Sequence, residues 1–196
     1  MDILYSLPGL LVAIVFHEFA HGYIAYLLGD DTAKNAGRLT LNPIKHIDVV
    51  GFLCMLVFRF GWAKSVPINP SKFKNRKRDT VLVSIAGVTT NFITAIICAF
   101  ILKYAPITNE TVYMMILIAL WYNVMLGVFN LIPLPPLDGS KVVASLLPTK
   151  WEYYFYKYER YFYFVLVLLI VTNTTSKIIG PIIEFILAFI IKIISW

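Results

Sequence analysis

Residues 3–28, ILYSLPGLLVAIVFHEFAHGYIAYLL, decide the fold, because they form a near-continuous apolar run of about 26 residues. As a helix this run is about 39 Å long, which exceeds the roughly 30 Å of a bilayer's hydrocarbon core. No Lys or Arg precedes it, so it lacks the basic start of a cleavable signal peptide. We therefore expect a retained transmembrane helix that ends at Gly29-Asp30-Asp31.

The composition of the whole chain also indicates a membrane protein. Of its 196 residues, 59% are hydrophobic and 14% are charged, whereas soluble domains average about 45–50% and about 25%. The two cysteines, Cys54 and Cys98, lie in apolar stretches, which disfavours a disulfide framework or a Cys-x-x-Cys metal site. We expect one integral membrane domain over residues 1–196, with a core at 3–145 and C-terminal membrane helices at 150–196.

Further apolar runs predict an all-α polytopic protein with about five to six membrane segments. Two more runs are long enough for full spans, namely Val81–Tyr104 and Val112–Leu131. Residues 48–61 are short for a span and favour a re-entrant or interfacial segment. The other predicted segments are residues 163–171, extended back into the aromatic stretch 150–162 typical of a membrane interface, and residues 178–194.

A small β element is also predicted. Residues 38–41 alternate polar and apolar side chains, and Asn42-Pro43 is a turn pair, which favours a short extended segment or hairpin. Residues 62–68 indicate another short strand, closed by Pro67 and Pro70. The expected fold therefore includes a small membrane-associated β-hairpin or sheet.

The run Lys72–Arg78 holds five basic residues in seven and sets the expected orientation. Basic loops face the cytoplasm, near anionic lipid, so we expect no nucleic-acid partner despite the net charge of +6. Counting spans inward from this loop brings residues 17–21 and 130–139 toward the same, cytoplasmic side. The protein is therefore predicted to be an integral membrane protein with these two segments toward the cytoplasm.

His17-Glu18-Phe19-Ala20-His21 fits the pattern His-Glu-x-x-His. Residues four apart share one face of a helix, so both imidazoles can hold one zinc ion, and Glu18 can act as general base on a metal-bound water. The alternative is a packing cluster in which these side chains bond each other and the backbone. Three ionisable groups in five residues of a span are costly for packing alone, which favours the metal site.

A catalytic zinc site needs a third protein ligand. Asp138 is the preferred candidate, because it follows three prolines at the end of a span, where irregular backbone is tolerated only if it is buried in protein or lines a cavity. The alternative role for Asp138 is a cap for a helix that starts at Ser140. His46 is the alternative ligand, although its neighbours favour the membrane–water boundary.

These motifs together resemble the site-2 protease family of intramembrane zinc metalloproteases. The resemblance covers residues 9–145 and is carried by residues 17–21, 37–43, 60–70 and 130–139. It implies that His17, His21 and Asp138 bind one Zn²⁺, that Glu18 is the catalytic base, and that a transmembrane protein substrate is cleaved after unwinding. The resemblance implies a compact prokaryotic-type member without a PDZ or sensor domain, located in the cell membrane of a prokaryote.

The same resemblance suggests further site residues. Gly87–Asn91 resembles the family's Gly-x-x-x-Asn element, so Asn91 is a candidate donor to the developing oxyanion, with an ordinary interhelical hydrogen bond as the alternative. Asn130 is a candidate for substrate binding or for orienting the active-site loop, with a cap or turn role as the alternative. Leu39 and Thr40 are expected to contact an extended substrate, as part of the predicted hairpin.

The predicted function is that of a zinc-dependent intramembrane endopeptidase. It would hydrolyse peptide bonds in or near transmembrane segments of membrane-protein substrates, as in regulated intramembrane proteolysis. A non-catalytic zinc-binding membrane transporter or scaffold is the alternative. The expected partners are the substrate and the lipid bilayer, and the oligomeric state stays open.

Overall fold

The computed structural model describes residues 3–58 and 61–194, which are helical apart from connecting loops. Short 3₁₀ turns occur at Pro43–Lys45 and Pro70–Lys72. The α-helices are α1 (Ile3–Leu27), α2 (Thr32–Asn35), α3 (Val49–Phe58), α4 (Arg76–Tyr104), α5 (Glu110–Asn130), α6 (Asp138–Leu146), α7 (Thr149–Lys157), α8 (Glu159–Val171) and α9 (Thr174–Ile194).

Three of these helices are long and apolar enough to cross a membrane. Within the described residues the qualifying stretches are Tyr5–Leu27 in α1, Arg76–Tyr104 in α4 and Glu110–Asn130 in α5. They confirm that each of the three spans predicted from sequence is a long apolar helix. The chain is an all-α integral membrane protein, in which α1, α4 and α5 pack against one another and α6 packs against α4.

Local sequence explains where α4 and α5 begin. The side-chain oxygen of Asn75 accepts a hydrogen bond from the Arg78 N–H at 3.2 Å, and that of Asn109 accepts one from the Val112 N–H at 3.2 Å. Each asparagine therefore caps a helix whose first N–H groups have no partner within the helix. This fixes the points at which the second and third spans start.

Small residues let α1 and α5 approach closely. A Cβ added to Gly9 in α1 would lie 2.8 Å from the Cα of Ala119 in α5, so the two backbones are almost in contact there. Close approach at small residues is the usual way in which membrane helices pack. The adjoining buried cluster joins α4, α5 and α9 and comprises Ala95, Cys98, Ala99, Ala119, Leu120, Val124, Val128, Ile179, Ile183 and Ile190.

The predicted β-hairpin is not found among the described residues. The single β-bridge there is antiparallel and pairs Ile47 with Ala63, across the intervening helix α3. Residues 39 and 40 form a bend, and Asn42 caps the following 3₁₀ turn by accepting a hydrogen bond from the Ile44 N–H at 3.1 Å. Residues 38–41 therefore form no strand, and Ala63 pairs with Ile47, which follows the turn.

The C-terminal third folds against the start of α4. Glu152 of α7 is 4% exposed and pairs with Arg76, with Nη1 to Oε1 at 2.6 Å and Nη2 to Oε2 at 2.9 Å. Lys77 lies 3.6 Å from the same carboxylate. Part of the basic run at 72–78 is thus neutralised by the protein itself. Neither α8 nor α9 is among the three candidate spans, so the predicted count of five to six segments stays a prediction.

Candidate metal centre

Two imidazoles and one carboxylate converge between α1 and α6. The Nε2 atoms of His17 and His21 lie 2.9 Å apart, and Oδ2 of Asp138 lies 3.0 Å from the first and 2.9 Å from the second. All three residues are at most 7% exposed. In the part of the chain that the structure describes, they are the one group of three or more His, Cys, Asp or Glu side chains close enough to share an ion.

The sequence brings these side chains together by helix periodicity and by a tight loop. His17 and His21 are one turn apart on α1, with their ring centroids at 4.4 Å. Asp138 is the first residue of α6 and lies 117 positions after His21. Gly139 allows the approach, because a Cβ there would lie 2.3 Å from the carbonyl oxygen of Leu131.

The outer nitrogens of both imidazoles have hydrogen-bond acceptors. Nδ1 of His21 lies 2.7 Å from the carbonyl oxygen of Val83, and Nδ1 of His17 lies 2.7 Å from Oδ1 of Asn91. Since these oxygens only accept, each Nδ1 carries the proton in the neutral ring and each Nε2 presents a lone pair. Such an arrangement orients metal-ligating histidines and fixes their tautomer.

The donor set fits a zinc ion. Two imidazole lone pairs and a carboxylate oxygen face one another at 2.9–3.0 Å, an arrangement that repels unless a cation lies between them. Zinc bonds of about 2.0–2.2 Å in tetrahedral geometry separate ligand atoms by about 3.4 Å, so a small outward shift would admit the ion. Two nitrogens and one oxygen with a fourth position left open form the ligand set of a catalytic zinc site.

Gly87 leaves the room that the two imidazoles need. A Cβ at this position of α4 would lie 2.5 Å from Nε2 of His21 and 2.7 Å from Cε1 of His17. Any other residue would therefore push the rings away from Asp138. The sequence identified Gly87 as part of a motif, and the structure supplies the physical reason for it.

Lys141 holds the outer oxygen of Asp138. Its Nζ lies 2.9 Å from Oδ1, whereas Oδ2 is the oxygen near the histidines. The carboxylate thus offers one oxygen to the centre and uses the other for an ion pair one helical turn away. Sequence reasoning did not identify Lys141, although its spacing of three residues from Asp138 in a predicted helix could have suggested it.

Glu18 lies beside the centre without being part of the ligand group. Its Oε2 accepts a hydrogen bond from the Val66 N–H at 2.7 Å. The side chain is partly exposed, and Oε1 has no hydrogen-bond partner among the described residues. This free oxygen is available to accept a proton.

Asn91 lies behind His17, in a fully buried position. Its Nδ2 donates to the Ala13 carbonyl oxygen and to Oδ1 of Asn123, both at 3.0 Å, so both of its N–H hydrogens are used. The donation of a hydrogen bond from Asn91 to an oxyanion stays a prediction. In this arrangement Nδ2 has no hydrogen left to donate. Asn123 was missed from sequence, although a polar amide within an apolar span is itself a signal.

The other predicted site residues lie outside the ligand group. Asn130 donates from Nδ2 to the Leu126 carbonyl oxygen of its own helix at 3.0 Å. His46 is 1% exposed and bonds the Thr40 carbonyl oxygen through Nε2 at 2.7 Å, so it is not brought to the centre. Leu39 and Thr40 are half-buried, and Leu39 packs near Gly22, the residue after His21.

Comparisons with known proteins place the chain in a family. A model of peptidase family M50 matches residues 101–172. The chain is 40% identical over 201 residues to YwhC of Bacillus subtilis (strain 168), provisionally named a zinc metalloprotease, with 97% of this chain and 91% of that protein covered. No solved structure matches the chain significantly.

Two further relatives are similar over part of their length. A protein of Methanocaldococcus jannaschii named a zinc metalloprotease is 28% identical over 144 residues, which is 74% of this chain and 34% of that protein. Rip2 of Mycobacterium tuberculosis (strain H37Rv), provisionally named a zinc metalloprotease, is 29% identical over 140 residues, or 68% and 53%. The near-full-length similarity to the Bacillus protein shows that the chain belongs to peptidase family M50.

Proposed function

We propose that this protein is a zinc-dependent intramembrane endopeptidase that hydrolyses peptide bonds in or near transmembrane segments of membrane-protein substrates. The observation that carries this proposal is the convergence of His17, His21 and Asp138 beside Glu18, on helices that can cross a membrane. The M50 family and the metalloprotease names of the relatives support zinc as the cofactor. The packing of α9 against α4 and α5 supports one domain over residues 1–196.

His17, His21 and Asp138 are the proposed zinc ligands. Held by these residues, a zinc ion would polarise a peptide carbonyl and lower the pKa of water toward about 7. The protein's part is to hold the ligands in place. Val83 and Asn91 fix the two imidazoles, and Lys141 fixes the carboxylate.

Glu18 is the proposed general base. Its free Oε1 takes the proton of the attacking water and returns it to the leaving amine, a role typical of the glutamate in His-Glu-x-x-His. Asn91 acts in this proposal on His17, through the 2.7 Å hydrogen bond to Nδ1. Asn130, Leu39 and Thr40 remain the proposed contacts for substrate, because Leu39 lies next to the part of α1 that carries the ligands.

The proposed setting is the cell membrane of a prokaryote, with the site toward the cytoplasm. The first three residues of α4 are basic and continue the basic loop before it. Basic residues next to the end of a membrane helix are typical of its cytoplasmic end, which supports a cytoplasmic position for residues 72–78. We also propose that α3, which is too short to cross, is a re-entrant or interfacial segment and that α8 and α9 complete the five to six membrane segments.

The test combines zinc content with cleavage in proteoliposomes. Wild type and Glu18→Gln are reconstituted with single-span membrane proteins from the source organism, and zinc per chain is measured for both. We expect both to hold one zinc per chain and only the wild type to cleave, since Gln keeps the shape of the side chain but cannot accept the proton. Equal processing of every substrate by both proteins would refute the proposal.

The ligand variants and a transport assay complete the test. Asp138→Ala and His17→Ala/His21→Ala are expected to lose zinc, whereas Lys150→Met, at an exposed position, is expected to keep it. Zinc retained in Asp138→Ala would remove that residue from the ligand set. Zinc flux into sealed vesicles, unchanged by Glu18→Gln and without cleavage, would favour the transporter instead.

A further inference from the structure

The Glu18 carboxylate is held by the backbone of a distant segment. Val66 lies 48 positions after Glu18, and its N–H donates to Oε2 at 2.7 Å. This is the one hydrogen bond of the Glu18 side chain among the described residues. The two oxygens of the carboxylate therefore have different surroundings, one fixed and one free.

The position of the Val66 N–H is set by other contacts of the same segment, residues 63–69. Upstream, the Lys64 N–H donates to the His46 carbonyl oxygen at 3.0 Å, and Nη2 of Arg38 donates to the Lys64 carbonyl oxygen at 2.6 Å. Downstream, the Asn69 N–H donates to Oδ2 of the fully buried Asp30 at 2.6 Å. The segment is thus attached on both sides of Val66.

The side chain of Val66 fixes the segment against α1. It is 5% exposed, and its Cγ1 would lie 3.1 Å from a Cβ added to Gly22. Gly22 follows His21 directly in α1, so the valine packs beside the ligand-bearing turn. The N–H that holds Glu18 is therefore placed by side-chain packing as well as by hydrogen bonds, and it does not depend on Glu18 for its position.

We propose that the backbone N–H of Val66 is the positioning group for the general base. It binds Oε2 and leaves Oε1 free to accept the proton of the attacking water. A glutamate side chain has three rotatable bonds and would otherwise sample several orientations on a partly exposed helix face. Because misplacement of a catalytic group by about 1 Å can cost about 10²-fold in rate, a fixed donor is a direct contribution to turnover.

This inference rests on the proposed function, because it assigns Val66 a role in that reaction. Since the donor belongs to the backbone, the orientation of the base depends on the placement of the whole segment. If the Val66 N–H had only a structural role, its loss would lower the stability of the protein and leave the turnover of the folded protein unchanged.

The hydrogen bond itself is measured by NMR in detergent. Ser65-Val66 is the single Ser-Val pair of the chain, so labelling serine carbonyls with ¹³C and valine amides with ¹⁵N yields one correlated amide signal. We expect the Val66 proton to move upfield in Glu18→Gln, because a neutral amide oxygen is a weaker acceptor than a carboxylate. Glu110→Gln, on the exposed start of α5, is the control and leaves the signal in place.

The role in turnover is measured with two proline variants. Val66→Pro removes the N–H that Glu18 accepts, whereas Ser65→Pro removes a neighbouring N–H for which the described residues show no acceptor. Proline is compatible with position 66, because Pro67 already restricts that residue to extended backbone. Val66→Ala keeps the N–H and controls for the loss of the valine side chain.

We expect Val66→Pro to lose about 10²-fold in kcat with zinc content unchanged and KM within about threefold of wild type. Ser65→Pro should keep at least about a third of wild-type kcat, and Val66→Ala, which loses the packing but keeps the N–H, should keep clearly more kcat than Val66→Pro. Equal kcat in Val66→Pro and Ser65→Pro, or an amide signal that does not move in Glu18→Gln, would overturn the inference. Failure of the proposed function is distinct, because Glu18→Gln would then cleave as well as wild type.

Discussion

Nζ of Lys141 lies 2.9 Å from Oδ1 of Asp138, on the carboxylate oxygen that is not shared with the histidines. The two oxygens of Glu18 also differ, because Oε2 accepts a hydrogen bond from the Val66 N–H and Oε1 has no partner among the described residues. In both carboxylates the protein fixes one oxygen and presents the other. One-sided anchoring of this kind restricts rotation of the group without occupying the oxygen that the reaction needs.

Replacing Lys141 is expected to weaken zinc binding. Lys141→Met removes the ion pair, so the Asp138 carboxylate can rotate away from the histidines, and partners of ligating groups typically contribute about 10- to 100-fold to metal affinity. The measurement is competition with a zinc chelator in detergent. Lys141→Arg keeps a cation within reach and should lie within about threefold of wild type. Equal affinity in Lys141→Met and wild type would show that Asp138 needs no anchor.

Gly87→Ala is expected to lose the metal. The new Cβ would lie 2.5 Å from Nε2 of His21, so the imidazole must move by several tenths of an ångström or more. The matched control is Gly180→Ala in α9, where a Cβ would have nothing within 4 Å. We expect zinc per chain to fall well below one in Gly87→Ala and to stay at the wild-type value in Gly180→Ala. A fully loaded Gly87→Ala protein would contradict this account of the glycine.

Asn123→Leu is expected to weaken zinc binding, although Asn123 contacts none of the three proposed zinc ligands. Its Oδ1 accepts from Asn91, which in turn fixes His17, so the substitution leaves a buried N–H of Asn91 without its partner. We expect about a tenfold loss of zinc affinity, with a larger loss in Asn91→Leu. Thr94→Val is the control, since Thr94 is buried nearby but bonds only within its own helix. Equal effects of Asn123→Leu and Thr94→Val would indicate a general packing defect.

The three spans were predictable because hydrophobicity is a local property of the sequence. The predicted hairpin was not found because strand pairing depends on tertiary contacts. Asn42 starts a 3₁₀ turn, and Ala63 pairs with Ile47 across α3, a partnership that no local pattern at residues 38–41 encodes. Alternation of polar and apolar residues indicated extended backbone there but not its partner.

The proposed ligands were likewise predictable, and most of their supports were not. His17 and His21 are related by helix periodicity, and Asp138 was marked by the prolines before it. Asn123 and the Val66 N–H contribute through hydrogen bonds between separate elements, whereas Lys141 is one helical turn from Asp138. The roles of Asn123 and Val66 follow from distances between elements, which residue types and spacing in the chain do not supply.

The ion pair of Arg76 with Glu152 is expected to stabilise the protein at neutral pH and to fail in acid. Hydrogen bonds and the charge of Arg76 hold the pKa of Glu152 below its usual value, against the opposing effect of burial. Because the folded-state pKa is the lower one, the stabilisation is complete above the unfolded-state pKa of about 4.3 and is lost as the pH falls through the folded-state value.

The measurement is thermal unfolding in detergent at pH 7 and at pH values below 4. Glu152→Gln should cost about 1.5–3 kcal/mol at pH 7, the range for hydrogen bonds to charged groups, and this difference from wild type should shrink in acid. Glu159→Gln is the control, since Glu159 is exposed and forms no ion pair among the described residues. A cost of Glu152→Gln that is the same at both pH values would mean that shape and packing, rather than charge, attach α7 to the start of α4.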